Sequence, residues 1–88
     1  MDEKMVRVGQ IIAATIKSKE ELGCILEADM CKKYQIFLPK SFISEEAFEN
    51  LEIKKQVLAV VKIIDTNKHL IKVTLPHEDN IPLNLQGV

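Results

Sequence analysis

Residues 56–65 carry the strongest strand signal in the chain. Valine and isoleucine fill five of these ten positions, and β-branched residues favour extended backbone. Residues 69–75 then alternate with a period of two until Pro76, which is typical of a strand with two different faces. The polar segment Asp-Thr-Asn-Lys at positions 65–68 lies between the two runs and has the composition of a turn. The pattern predicts two consecutive strands joined by a short turn.

Three further strands are predicted earlier in the chain, at residues 8–17, 22–27 and 34–38. Pro39 ends the third of these strands, because proline cannot donate a hydrogen bond to a neighbouring strand. A short helix is predicted next. Ser44 suits the N-cap position, acidic residues follow it in the first turn, and the helical segment continues over residues 47–51.

Five short strands with one helix after the third match the element order of an OB-fold barrel. Closure of the barrel leaves no exposed sheet edge, which matters for so small a β protein. We therefore predict an all-β, five-stranded antiparallel OB-fold barrel over residues 6–75, with one short helix between strands 3 and 4. Residues 76–88 are predicted to form a flexible C-terminal tail.

The alternation of side chains predicts which residues fill the barrel. One face of the first strand carries Ile12, Ala14 and Ile16. If Val57 and Val61 point inward on the fourth strand, positions 58 and 60 point outward. On this basis the predicted core consists of Ile12, Ile16, Leu26, Val57, Val61, Ile71 and Val73.

Composition limits the classes of function. The 88 residues are 47% hydrophobic and 28% charged, which fits one small globular domain whose thin core does not favour a deep catalytic cavity. A net charge of −1, from 12 basic and 13 acidic residues, argues against a strongly basic nucleic-acid binder. The charge is uneven, however, since five lysines and one aspartate give residues 53–75 a charge of +4. A local basic face is compatible with this distribution.

Cysteine and histidine usage argues against a metal site and against secretion. Cys24 and Cys31 do not form a CxxC pair, and His69 and His77 are eight positions apart. So few cysteines indicate a reduced, cytoplasmic protein, and the longest apolar run, residues 57–61, is too short to span a membrane. No catalytic motif is present. We expect a non-enzymatic protein without metal or cofactor and without a membrane segment.

Five segments form an ordered set along residues 6–75: Val-Gly-Gln-Ile-Ile at positions 8–12, Glu-Leu-Gly-Cys-Ile-Leu at 21–26, Phe-Leu-Pro-Lys-Ser at 37–41, the aliphatic run 57–65, and Ile-Lys-Val-Thr-Leu at 71–75. In this order and spacing the segments resemble an S1-type RNA-binding domain. The resemblance implies an OB fold and single-stranded RNA as the ligand, with a role in RNA metabolism or translation.

Several positions depart from the S1-type pattern. The two stacking aromatics that the family has on its second strand are replaced by Leu22 and Ile25, and the third-strand histidine of many members is replaced by Pro39. The family's basic residue after the last turn falls at Leu70, whereas its aspartate is retained as Asp65. Stacking on an aromatic ring contributes about 1–3 kcal/mol per base. The resemblance therefore implies weak binding with little base specificity.

The candidate RNA-binding residues are mostly lysines on or near the strands that the family uses for binding. Lysine ammonium groups contact phosphate oxygens, although a solvated protein surface also needs lysines for solubility. Among the four aromatic residues, Tyr34 is the best candidate for stacking a base, while Phe37 fits either the core or the surface. The full set is Lys17, Lys19, Tyr34, Phe37, Lys40, Lys62, Asp65, Lys68 and Lys72.

A second hypothesis is a protein-interaction module that has lost RNA binding. The predicted parity leaves four aliphatic side chains pointing outward, and exposed apolar surface often marks a partner contact. These residues are Ile11, Ile25, Leu58 and Val60. Residues 17–26 also resemble the S1-type domain of the alpha subunit of eukaryotic initiation factor two, so a mimic of that subunit is one form of this hypothesis. We expect a monomer under either hypothesis.

Overall fold

Within residues 6–79, which the computed structural model describes, five strands close into a barrel. They are β1 (Ile11–Glu20), β2 (Gly23–Glu27), β3 (Gln35–Pro39), β4 (Gln56–Asp65) and β5 (Leu70–Thr74). Their order around the barrel is β1–β2–β3–β5–β4, and β4 pairs back onto β1. This is the closed five-stranded arrangement of an OB fold, as the sequence predicts.

The prediction of a purely antiparallel barrel is wrong at one seam. The pairs β1–β2, β2–β3, β1–β4 and β4–β5 are antiparallel, whereas β3 and β5 run parallel, with Gln35 opposite Leu70 and Ile36 opposite Ile71. The reason is geometric. Strand β3 is antiparallel to β2, which is antiparallel to β1, so β3 points in the same direction as β1. Strand β5 is antiparallel to β4, which is also antiparallel to β1, so β5 points in that direction too. The two strands are therefore parallel where they meet.

Among residues 6–79, two short α-helices and two 3₁₀ helices (Asp29–Cys31 and Lys40–Phe42) accompany the barrel. Helix α1 (Glu45–Glu49) lies between β3 and β4, and the Ser44 hydroxyl oxygen caps it by accepting a 3.0 Å hydrogen bond from the Ala47 N–H. The predicted helix position and its N-cap are therefore confirmed. Helix α2 (Pro76–Asp79) contacts β4 and forms within the region predicted as a tail. The other residues of that predicted tail, 80–88, lie outside the described residues.

Strand β1 begins at Ile11 rather than at residue 8 because a turn precedes it. Gly9 has a φ of +95°, a left-handed conformation that L side chains rarely adopt. The Gly9 N–H donates to the Val61 carbonyl at 2.7 Å, and the Gln10 N–H donates to the Arg7 carbonyl at 3.0 Å. The turn therefore fastens the start of β1 to β4.

The predicted core residues are buried in the barrel interior with one exception. Ile12, Ile16, Leu26, Val61, Ile71 and Val73 are all buried in one core cluster, as predicted. Val57 is only half-buried, because it lies at the barrel end and lines a groove between the strands and the helices. The largest fully buried side chains include Ile16, Ile36, Leu38 and Ile71, which are close-packed in the barrel.

The prediction that Val60 is an exposed outward residue is wrong. Val60 is 6% exposed, although it does not belong to the central core cluster. Its cross-strand partner Thr74 is buried too, and the Thr74 hydroxyl donates to the Phe42 carbonyl at 3.1 Å. The 3₁₀ helix after β3 (Lys40–Phe42) therefore contacts this part of the outer barrel surface through Thr74.

Candidate nucleic-acid interface

One line of paired residues crosses the outer surface of the barrel. Strand registers place Ser18 opposite Ile25, Ile25 opposite Phe37, Phe37 opposite Lys72, and Lys72 opposite Ile63. We call these five residues the central row. The row crosses every strand, and it brings one aromatic ring, one ammonium group and two aliphatic side chains onto a single surface.

The side chains in the middle of the central row point out of the barrel. Ile25, Phe37 and Lys72 are each half-buried, and each lies between two fully or nearly fully buried neighbours on its own strand. Because side chains alternate along a strand, these three must face outward. Neighbouring strands lie about 4.7–4.9 Å apart, and Phe37 and Lys72 are register partners on the same face, so the Phe37 ring and the Lys72 stem are neighbours.

Phe37 differs from the other three aromatic residues. Tyr34, Phe42 and Phe48 are partly buried and pack against the core, whereas Phe37 is not among the described hydrophobic residues that do so. The interpretation of Phe37 as a core residue is therefore wrong, and its alternative as a surface ring is the one the structure supports. Sequence periodicity could not decide this, because a period of two defines two faces without saying which is inside.

Tyr34, Asp65 and Lys68 lie together at one end of the barrel. Tyr34 immediately precedes β3, and its ring centroid lies 5.4 Å from that of His69 at an angle of 51°. His69 has a φ of +51°, and its carbonyl accepts the Gln35 N–H at 2.9 Å. Asp65 accepts a 3.1 Å hydrogen bond from the Lys68 backbone N–H and so shapes the β4–β5 turn. The retained aspartate therefore has a local structural role.

Two predicted lysines lie at the opposite end of β3. The ammonium groups of Lys19 and Lys40 lie 4.9 and 5.1 Å from the ring centroid of Phe48, close enough for cation–π attraction. The Lys19 ammonium also donates to the Leu51 carbonyl at 3.0 Å. These contacts tie α1 to the barrel. Lys19 and Lys40 are thus separated from Tyr34, which precedes β3 at its other end.

The last two predicted lysines flank the central row at strand irregularities. Lys17 falls at the register shift of β1 between Ile16 and Ser18, and its ammonium lies 3.2 Å from a Glu27 carboxylate oxygen. Lys62 falls at the corresponding shift of β4 and is exposed. An extra residue at such a shift changes the direction of its side chain. These shifts place Ser18 and Ile63 in the central row, and no sequence pattern predicts the shifts.

The aliphatic residues of the second hypothesis separate into different regions. Ile11 and Leu58 are 54% and 57% exposed on the outer surface of β1 and β4, while Ile25 belongs to the central row. Leu58 also borders an apolar groove of about 510 Å³ between β4 and the two helices, which is lined by Ala47, Asn50, Leu51, Val57, Leu58, Leu75, Pro76 and His77.

The two free cysteines, Cys24 and Cys31, are the ionisable residues with a clear pKa shift in the described part of the chain. Burial raises the pKa of the Cys24 thiol, with a smaller opposing effect of Lys19 and a further raising effect of Glu20, and burial also raises the pKa of Cys31. Both thiols are therefore less nucleophilic than usual at neutral pH. Residues 6–79 hold no group of three or more histidine, cysteine or acidic side chains that could bind a metal, and none of their helices could cross a membrane.

Comparison with known proteins identifies the fold. No protein-family model and no curated protein matches the chain, but solved structures do. GSP13 from Bacillus subtilis has a TM-score of 0.72 and 17% identity, over 89% of this chain and 62% of that one. An uncharacterized protein from Methanocaldococcus jannaschii has a TM-score of 0.70 and 16% identity, over 91% of this chain and 99% of that one.

A third match is a chain from the a/eIF2alpha–aDim2p–rRNA complex of Pyrococcus horikoshii. Its TM-score is 0.69 and its identity 23%, over 82% of this chain and 45% of that one. This chain thus corresponds to less than half of its archaeal match. The chain has an OB fold. The fold agrees with the resemblance that the sequence motifs indicate.

Proposed function

We propose that the chain is a non-enzymatic, cytoplasmic RNA-binding module that binds single-stranded RNA weakly and with little base specificity. The central row is the observation that carries this proposal. It offers one ring for stacking beside one lysine for a phosphate, with aliphatic neighbours where further rings would give higher affinity. A surface that stacks bases and contacts the backbone, without reading base edges, binds many sequences alike.

The positive charge around the row supports the same ligand. Lys72 lies in the row, Lys62 lies at the adjacent irregularity of β4, and Lys68 lies in the β4–β5 turn, whereas the charge of Lys17 is paired with Glu27. The acidic residues of α1 follow β3 in the chain and lie on the same helix as Phe48, the ring that Lys19 and Lys40 contact. They do not belong to the central row. The name of the archaeal complex includes rRNA, which favours a role in RNA metabolism or translation.

A chemical-shift titration with a short single-stranded RNA tests the proposal. At about 50 mM salt, where phosphate contacts are strongest, the amides of β2, β3 and β5 should shift, and the affinity should fall as salt rises. Phe37→Leu should weaken binding by about 5- to 150-fold, the equivalent of one lost stacking contact, with an unchanged salt slope. Tyr34→Leu should have a smaller effect, because its ring already packs against His69 and the core.

Two results would refute the proposal. If saturating RNA moves no amide at low salt, the chain does not bind RNA. If Phe37→Leu binds RNA as tightly as the wild type, the central row is not the interface. Leu58→Ala is the matched control, since it changes an exposed aliphatic residue on a strand surface outside the row.

A protein-interaction module is the second candidate, and the exposure of Ile11 and Leu58 favours it. Leu58 borders the apolar groove on β4, and Ile11 lies on the outer surface of the neighbouring strand β1. One form of this candidate is a mimic of an initiation-factor subunit. The similarity to a chain from the archaeal complex that contains a/eIF2alpha favours this form. The candidate predicts that Leu58→Glu abolishes partner binding while leaving the RNA titration unchanged.

A further inference from the structure

Gly23 occupies the outer surface of β2 beside the Phe37 ring. Gly23 pairs with Pro39, while Phe37 pairs with Ile25, so Gly23 is the diagonal neighbour of Phe37 across the two strands. A Cβ atom placed on Gly23 would lie 2.7 Å from Phe37 Cζ, the far end of the ring. The ring therefore extends from β3 across β2 and ends directly above a residue that has no side chain.

We propose that Gly23 is the positioning residue of the RNA interface: its missing side chain lets the Phe37 ring lie across β2 as the platform for one stacked base. This inference rests on the proposed function and adds how the ring is held. Any Cβ at position 23 would meet the ring tip at a distance that real Cβ atoms essentially never show, so the ring would have to leave this place. Lys72, on the other side of Phe37, then contacts the phosphate of the stacked nucleotide.

Backbone packing supplies a competing reason for glycine at this position. The same Cβ atom would also clash with the Leu38 carbonyl oxygen and lie 3.0 Å from Pro39 Cα. A purely structural glycine would affect stability, but it would leave the ring orientation and the RNA affinity of the folded molecules unchanged. The test must therefore measure the ring and the RNA, and it must not depend on a Gly23 variant that fails to fold.

The wild-type protein gives the first measurement. Nuclear Overhauser effects should connect the Gly23 Hα protons with the Phe37 ring protons. On titration with a short single-stranded RNA, both sets of protons should shift upfield, because a base stacked on the ring places its ring current over them. Absence of the Gly23–Phe37 effect would overturn the inference. So would an RNA titration that moves the Lys72 amide but leaves the Phe37 ring protons in place.

A double-mutant cycle gives the second measurement. Gly23→Ala should reduce RNA affinity as much as Phe37→Leu, and in the Phe37→Leu background Gly23→Ala should change affinity by less than about twofold, since coupled residues are non-additive. An equal loss in both backgrounds would show that Gly23 acts only through the backbone. If Gly23→Ala does not fold, the wild-type measurement decides. If the wild type binds no RNA at all, the proposed function fails, whereas RNA binding with an unaffected ring refutes only the role of Gly23.

Discussion

Val61→Ala tests the inward parity of β4, on which the whole core assignment depends. Val61 is 0% exposed and belongs to the central core cluster. The substitution removes two carbon atoms, which costs about 1.6 kcal/mol in lost burial at about 0.8 kcal/mol per carbon. A residual cavity of about 40 Å³ would cost about 1 kcal/mol more. We expect the free energy of unfolding to fall by about 2–3 kcal/mol.

Urea denaturation followed by circular dichroism measures this change, and the slope of unfolding free energy against urea should stay constant. Leu58→Ala is the matched control on the same strand. It removes three carbon atoms from a side chain that is 57% exposed, so it should cost about 1 kcal/mol or less. A loss below about 0.5 kcal/mol at Val61, or a larger loss at Leu58 than at Val61, would refute the assigned parity.

Three further predictions concern charge, capping and pH. Lys72→Ala should lower the slope of log affinity against log salt by about 0.7 to 1. Lys40→Ala removes the same charge from an ammonium group that contacts the Phe48 ring, so it should leave the slope nearly unchanged in RNA titrations. Ser44→Ala should lower the unfolding free energy by about 1 kcal/mol in thermal or urea denaturation, and an unchanged value would contradict the N-cap role. The pKa of Cys24 is raised in the folded state, so its contribution to stability is present below the ordinary pKa of 9.0 and is lost as pH rises above it. The stability difference between wild type and Cys24→Ala should therefore shrink above pH 9.0, and a constant difference would refute this.

The strands and the helix were predictable because their signals are local. β-branched runs, the Ser44 N-cap and the prolines each act within a few residues, and the structure places β2, β3, α1, β4 and β5 each within two residues of their predicted bounds. Strand β1 was predicted three residues early, because apolar residues before Gly9 look like strand while the positive φ of Gly9 forms a turn.

The candidate site was less predictable, because it depends on contacts between distant segments. Val60 is buried beside its cross-strand partner Thr74, which hydrogen-bonds to the Phe42 carbonyl after β3, and this environment exists only in the assembled barrel. The ammonium groups of Lys19 and Lys40 turn toward Phe48, and no local pattern reports that choice. The surface position of Phe37 likewise follows from the strand registers, which only the assembled barrel defines.

The parallel seam between β3 and β5 has a consequence for how the chain folds. Strands β1, β2 and β3 pair in sequence order and need only short loops, but the seam joins Gln35 to Leu70 across the helical connection and all of β4. Closing such a long loop costs chain entropy before the contacts between β3 and β5 can stabilise it. Contacts between residues that are distant in sequence therefore slow folding. During synthesis the barrel therefore cannot close until β5 has emerged, and the outer face of β3 that carries Phe37 acquires its Lys72 neighbour in that last step.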